Sequence, residues 1–375
     1  MSAAAPLLTR PEELAELAAT LAQEPSIALD TEATGFHRYH ERICLVQLST
    51  RERTWLVDAL ALDGLAPLGA IMTDARVELV IHDADYDLRL FKKNYGFKAS
   101  RVFDTFIAAE LLNEEQLSLA GLLEKYAGEK LDKKFQKADW SQRPLPPAML
   151  AYAAKDTAHL LKLRDTLAKK LVEKGRMAWA EEEFRLLVHI PFEPQEDNEP
   201  GFLKVKGAKA LRPHQLAVLR ELHGWREQLA ERLDRAPFMI LGNDVIVDLS
   251  KDPPGDLKAL AARKGVGPRV IERNSEAILR AIERGRSLPK EQWPRVPKSL
   301  RYDRDPEFDE RVLRLRTARE RLMAEHDLRP GIVCANHLMA AIARRMPTSL
   351  QELRTIEGMR NYQVDVFGQD LLNAL

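Results

Sequence analysis

The chain has 375 residues, with 57 basic and 57 acidic side chains and a formal net charge of zero. Such a length suggests two or three domains, and no run of about 18 apolar residues marks a membrane span. Cys44 and Cys334 lie far apart and form no paired motif, which argues against a disulfide framework. The first residues lack the basic-then-apolar layout of a signal peptide, so a reduced, cytoplasmic setting is expected. The neutral total hides an asymmetry: residues 1–200 carry roughly 25 basic against 33 acidic side chains, and residues 201–300 roughly 20 against 12. That pattern suits a polyanion-binding module joined to a cation-binding one, and equally a solvated helical surface.

Taken in chain order, residues 26–30 (SIALD) read as a short buried strand, 43–49 (ICLVQLS) as a second, 54–57 as a third and 77–82 (VELVIH) as a fourth. Helical patterns follow at 86–94, 105–112, 117–126 and 147–169, which together indicate an α/β or α+β domain over residues 1–190. Residues 191–205 begin with a Pro- and acid-rich stretch and read as a linker. Two helical segments come next, at 206–286 and 302–375, separated at 287–301 by a stretch whose three prolines discourage continuous helix.

Asp30 and Glu32 stand at the end of the first strand, two residues apart, which puts both carboxylates on one face. Carboxylates so placed repel each other unless a cation neutralises them. Asp87 falls in the first turns of the helix after the fourth strand, where Asp83 or Asp85 is positioned to cap. Tyr152 and Asp156, four residues apart, share one face of a long helix. Each acid alone reads as a solvated turn, a helix-start residue favoured by the dipole or an exposed helix position. Their order and their places on strand and helix ends make the combination specific.

DTE at 30–32, HDADYDL at 82–88 and YAAKD at 152–156 resemble the DEDD exonuclease superfamily, in the subgroup with tyrosine in the third motif. Phe103-Asp104-Thr105, Leu131-Asp132-Lys133-Lys134, Ala138-Asp139-Trp140 and Arg143-Pro144-Leu145 narrow the resemblance to the ribonuclease D family over about residues 8–170. One departure is Ala33-Thr34-Gly35-Phe36, which looks more like the proofreading exonucleases. The resemblance implies a ribonuclease H-like mixed-sheet exonuclease domain that hydrolyses phosphodiesters with two Mg²⁺ or Mn²⁺ ions about 3.5–4 Å apart. It further implies that Asp30, Glu32 and Asp156 hold the water-activating ion, that Asp30 bridges to a second ion supported by Asp87, and that Tyr152 positions the water. Asp104 is then a structural support and a cap, and His82 a packed or hydrogen-bonded strand-end residue and not a ligand. Lys133, Lys134 and Arg143 read either as phosphate contacts or as part of a solvated loop. Trp140 reads as a packing anchor or as a platform on which a base stacks.

The segment 206–286 resembles the helicase-and-RNase-D C-terminal (HRDC) domain, a small all-α bundle, with Leu211, Leu216, Leu219, Leu222 and Trp225 as core. Its Lys264-Gly265-Val266-Gly267-Pro268-Arg269 reads either as a tight turn or as a phosphate-holding helix start that makes Lys264 and Arg269 contacts. The segment 302–375 resembles a second, diverged copy expected to pack against the catalytic domain. The layout implies a 3′→5′ exoribonuclease that releases nucleoside 5′-monophosphates from RNA with a free 3′ end, such as tRNA precursors; a monomer is the expectation, though the sequence does not fix the oligomeric state. A 3′→5′ DNA exonuclease and a non-catalytic RNA-binding scaffold are the alternatives.

Overall fold

Residues 5–35, 37–189, 199–297 and 305–375 are described by a computed structural model. The apolar runs of the first half form β1 (Leu7–Leu8), β2 (Ser26–Ala33), β3 (Ile43–Ser49), β4 (Thr54–Asp58), β5 (Glu78–Ile81) and β6 (Val102–Asp104). They make one mixed sheet in the order β1-β4-β3-β2-β5-β6. β3 is buried along its whole length, as its largely apolar run suits a central strand. β2 runs antiparallel to β3 and parallel to β5.

Around the sheet lie α1 (Pro11–Leu21), α2 (Ala66–Thr73), α3 (Ala84–Tyr95), α4 (Thr105–Leu111), α5 (Leu119–Ala127), α6 (Pro147–Ala158), α7 (Leu160–Glu173) and α8 (Met177–Val188). The expected helix over 147–169 is in fact two, broken at His159 (φ −114°, ψ 4°). The two halves bury stripes in different cores. Met149 and Ala153 of α6 join Leu45, Leu56 and Trp140, whereas Leu160, Leu163 and Leu167 of α7 join Leu112 and Leu123. One straight helix cannot face both.

The chain divides into two compact units, one comprising residues 1–33, 43–192 and 302–375, the other residues 34–42 and 193–301. The second unit contains α9 (Gly201–Lys204), α10 (Pro213–Arg232), α11 (Pro237–Ile240), α12 (Asn243–Lys251), α13 (Leu257–Ala261) and α14 (Pro268–Arg286). Of the expected linker at 191–205, residues 191–198 lie outside the described residues, and α9 is no linker. It sends Phe202 and Leu203 into the bundle core, followed by Val205, beside Leu211, Leu216, Leu219 and Leu222. Gly285 lets α14 cross α10 closely, since a Cβ there would meet the Val218 backbone at 2.5 Å.

The last helices, α15 (Pro306–His326), α16 (Pro330–Cys334), α17 (Asn336–Arg345), α18 (Leu350–Arg354) and α19 (Asn361–Asn373), belong to the same unit as the sheet. They share one hydrophobic core with α4, α5, α7 and α8. Trp179 stacks on Tyr362 at 5.0 Å between centroids, Arg360 pairs with Glu183 at 2.9 Å, and Arg176 donates to the carbonyls of Leu111 and His326. The two bundles repeat one plan despite diverged sequence. Arg226 donates to the Leu241 carbonyl and the Asn243 side chain, 15 and 17 residues further on. Arg319 makes the same pair of bonds, to Cys334 and Asn336, at the same spacings.

Candidate active site

β5 pairs with β2 only as far as Ala28, so the last residues of β2 are free of a neighbour on that side. Ligands gather at such carboxyl ends of sheet strands. Here Asp30 and Glu32 project to the face covered by α6, which packs on β2, β3 and β4. α6 brings Tyr152 and Asp156 to the same place. Thr31 points to the other face, and its hydroxyl donates to the Asp87 carboxylate of α3. Asp87 is buried, at 5% exposure.

Asp87 is aimed by a capping device that differs from the expectation for Asp83 or Asp85. Asp83 sits in the left-handed region (φ 63°) and makes no side-chain cap. The carboxylate of Asp104, 1% exposed, accepts instead from the N–H groups of Asp83 (3.1 Å) and Ala84 (2.8 Å). It also accepts from Phe106 (2.8 Å) and Ile107 (3.4 Å) at the start of α4. One side chain thus satisfies the orphan donors of two helix starts and ties them together. Burial raises Asp104 to about 6 against the pull of those four bonds. His82, also in the pocket lining, bonds Thr105 Oγ1 through Nδ1 at 3.0 Å. Burial lowers it to about 4, so it is neutral at pH 7.

The four carboxylates disturb one another. Burial raises Asp30 to about 7 and, with repulsion from Asp30, Asp156 to about 8. Burial, then Asp30, Asp156 and Asp87, raises Glu32 to about 10. Asp87 is held well above the ordinary carboxylate range by burial and by Asp30, although Thr31 pulls it down. Burial, then Asp156, Glu32 and Asp30, also raises Tyr152, so its hydroxyl stays protonated at neutral pH. Among the described residues no lysine or arginine forms an ion pair with any of the four acids. An all-carboxylate donor set with no cationic side chain fits a hard divalent cation. As the side chains stand, no three acidic, histidine or cysteine groups among the described residues are disposed to grip one ion.

Asp30, Glu32, Tyr152 and Asp156 line a cavity of about 350 Å³ together with Thr31, His82, Ser118, Asp132, Lys133 and Gln136. Sequence reasoning did not assign Thr31, Ser118 or Gln136 to the site. Thr31 was visible inside the DTE motif, but Ser118 also reads as the α5 cap that it is, accepting from Gly121 N–H at 3.3 Å. Of the expected phosphate contacts, Lys133 is in the lining, and Lys134 lies 5.4 Å from the Phe135 ring centroid. Arg143 is a correction. Its guanidinium makes two 2.6 Å bonds to buried Asp58 and donates to the carbonyls of Cys44, Trp140 and Gln142. It is a clamp that fastens the 131–145 loop to β3 and β4, with little donor capacity left for phosphate. Trp140 is 2% exposed beneath Tyr152, 6.2 Å between ring centroids. Lys264, in the turn before α14, and Arg269, in the first turn of α14, are both exposed in the second unit.

Comparison with known proteins agrees with this geometry. Residues 7–172 match the 3′-5′ exonuclease family, and residues 215–282 and 308–375 each match the HRDC domain family. The chain is 30% identical over 370 residues to ribonuclease D of Gluconacetobacter diazotrophicus, covering 98% of this chain and 91% of that one. It is 29% identical over 377 residues to ribonuclease D of Granulibacter bethesdensis, covering 98% and 91%. The crystal structure of Escherichia coli RNase D shares the fold, with a TM-score of 0.71 at 24% identity over 98% of each chain. A near-full-length match at that identity, on an exonuclease sheet followed by two HRDC bundles, means that the chain belongs to the ribonuclease D family of 3′→5′ exoribonucleases.

Proposed function

We propose that the protein trims 3′ extensions of structured RNA, with tRNA precursors as substrates, by metal-dependent hydrolysis that releases nucleoside 5′-monophosphates. The observation that carries this is the cluster of four mutually repelling carboxylates at the end of β2, with no cationic ion-pair partner among the described residues. Asp30, Glu32, Asp87 and Asp156 would hold two divalent cations, Mg²⁺ or Mn²⁺. When bound, such ions supply Lewis acidity and a nucleophile at neutral pH.

The chain's own groups do the rest. Tyr152, protonated and half-buried beside Asp156, donates a hydrogen bond that orients the attacking water. Lys133 in the pocket lining attracts the phosphate of the terminal nucleotide. Neutral His82 and the Ser118 hydroxyl offer polar contacts to the terminal sugar. A cavity of about 350 Å³ suits one small group at a time, in keeping with stepwise release from a 3′ end.

The turn before α14 suits an RNA phosphate for a reason found in its repeat. Gly358 (φ +85°) precedes α19, whose first N–H groups, from Asn361 and Tyr362, grip the Glu182 carboxylate at 2.7 and 3.2 Å. Gly265 (φ +86°) makes the same turn before α14. Pro268 removes one donor there, while Lys264 and Arg269 add positive charge. RNA is thus engaged by the domain at 206–286 and cut by the domain at 1–190, in a monomer. Among the described residues no helix is long and apolar enough to cross a membrane, and the cytoplasm is the proposed compartment. The test is incubation with a 3′-extended tRNA precursor in Mg²⁺, in Mn²⁺ and in chelator. Mononucleotide release that stops in chelator supports the reading, and release that persists there overturns it.

A further inference from the structure

β3 carries one side chain that its surroundings do not explain. Gln47 is fully buried, and neither its amide nitrogen nor its oxygen has a hydrogen-bond partner. Buried polar groups are almost always paired, so an orphaned carboxamide asks for a reason. The rest of the strand is Ile43, Cys44, Leu45, Val46, Leu48 and Ser49, and the Ser49 hydroxyl bonds both Thr54 and Thr157 at 2.7 Å.

Register limits what Gln47 can meet. Across one strand boundary it stands opposite Leu56, which is apolar, and across the other it stands directly opposite Asp30. Opposite residues of an antiparallel pair share a face, with Cβ atoms about 4.5–5.5 Å apart. Above this face lies α6, with Thr157 over Ser49 and with Ala153 packed among Leu45 and Leu56. Ala153 offers no polar group, so Asp30 is the partner that the sheet itself presents to Gln47.

We infer that Gln47 is a positioning residue for Asp30. Its amide N–H donates to the ionised Asp30 carboxylate and turns the other carboxylate oxygen into the pocket. The carboxamide suits this task where a lysine or arginine does not, because it adds a donor without a charge that competes with a cation. The unpaired amide marks an arrangement in which that bond is not made, and turning the Asp30 carboxylate toward its cross-strand neighbour removes the orphan.

This inference rests on the proposed role of Asp30, so Asp30→Asn is the reference. The experiment measures two things on the full chain: the Mg²⁺ midpoint from melting temperatures across a Mg²⁺ titration, and kcat and KM on a 3′-extended oligoribonucleotide. For Gln47→Leu the expected result is a metal-free melting temperature equal to or above that of the parent. Its Mg²⁺ midpoint shifts upward and its kcat falls about tenfold to a hundredfold, the worth of one hydrogen bond to a charged group, while KM is unchanged. Gln47→Met behaves alike. Placed in the Asp30→Asn background, Gln47→Leu moves the midpoint no further, because its partner charge is gone. Parental midpoint and kcat in both Gln47 variants overturn the inference. So does failure of both to fold, since that assigns the amide a structural role. If Asp30→Asn itself titrates and turns over like the parent, the reading of the site fails instead.

Discussion

Replacing Asp104 by alanine changes no residue of the candidate cavity but removes its foundation. The lost carboxylate caps two helices, and each N-cap is worth about 1 kcal/mol. The Ala84 N–H is then left buried without a partner, which costs about 1–3 kcal/mol more. Against this stands the burial cost of the charge, visible in its rise to about 6. The net expectation is a destabilisation of about 2–4 kcal/mol. For a unit of this size that lowers the melting temperature by about 5–15 °C. The loss falls on the unit containing the sheet, because α3 and α4 belong to it. Asp104→Asn keeps one acceptor oxygen and loses about half as much. Urea or thermal melts of the full chain give the stability, and RNA degradation at a temperature where the variant is folded gives the activity. Activity also drops, because α3 carries Asp87. If Asp104→Ala melts within about 0.5 kcal/mol of the parent, the double cap is not what holds the two helix starts.

Other predictions concern charge. Asp30, Asp156 and Glu32 have folded values of about 7, 8 and 10, above their ordinary ones. In this window the native form therefore binds more protons than the unfolded chain, and metal-free stability falls as pH rises. Each proton held only by the native form contributes about 1.4 kcal/mol per pH unit. Melts between pH 7.5 and 9 in chelator should show that decline, since the opposite contribution of His82, whose value is lowered from 6.5 to about 4, is nearly complete by then. Saturating Mg²⁺ should flatten it, and rising stability in chelator contradicts the scheme. Arg143→Ala strands the buried Asp58 and should cost about 3–5 kcal/mol while leaving the salt dependence of RNA binding alone. Lys133→Ala should leave stability alone and shrink that salt slope by about one. Tyr152→Phe removes a donor without disturbing its rings, so kcat should fall about tenfold to a hundredfold with KM kept; equal losses in both place its role in binding.

Much of this was legible because the chemistry sits on strongly patterned elements. Asp30 and Glu32 end an apolar strand, Tyr152 and Asp156 share a helix face, and both patterns survive folding intact. β1 and β6 were missed since two or three residues carry no periodicity. The break at His159 was missed because both halves are amphipathic and only tertiary packing shows that they face different cores. Arg143 and Lys133 look alike in a basic loop, and what separates them is Asp58, eighty-five residues earlier. Asp104 was visible as one cap but not as two, because α3 reaches it only through β5 and β6 pairing. Gln47 stood in plain sight as the one amide in ICLVQLS, yet its meaning needed the strand register.

If the carboxylate cluster makes this family member metal-dependent, both the metal and the direction of attack are readable from the two ends of one RNA. The most direct measurement follows a 3′-end-labelled and a 5′-end-labelled RNA in parallel with the parent and Asp30→Asn, each with and without Mg²⁺. The parent in Mg²⁺ should release labelled mononucleotide at once from the 3′-labelled RNA and shorten the 5′-labelled one stepwise. Folded Asp30→Asn should release none, and neither protein should release any in chelator. Release that survives either the substitution or the chelator rules out a metal-dependent site at Asp30.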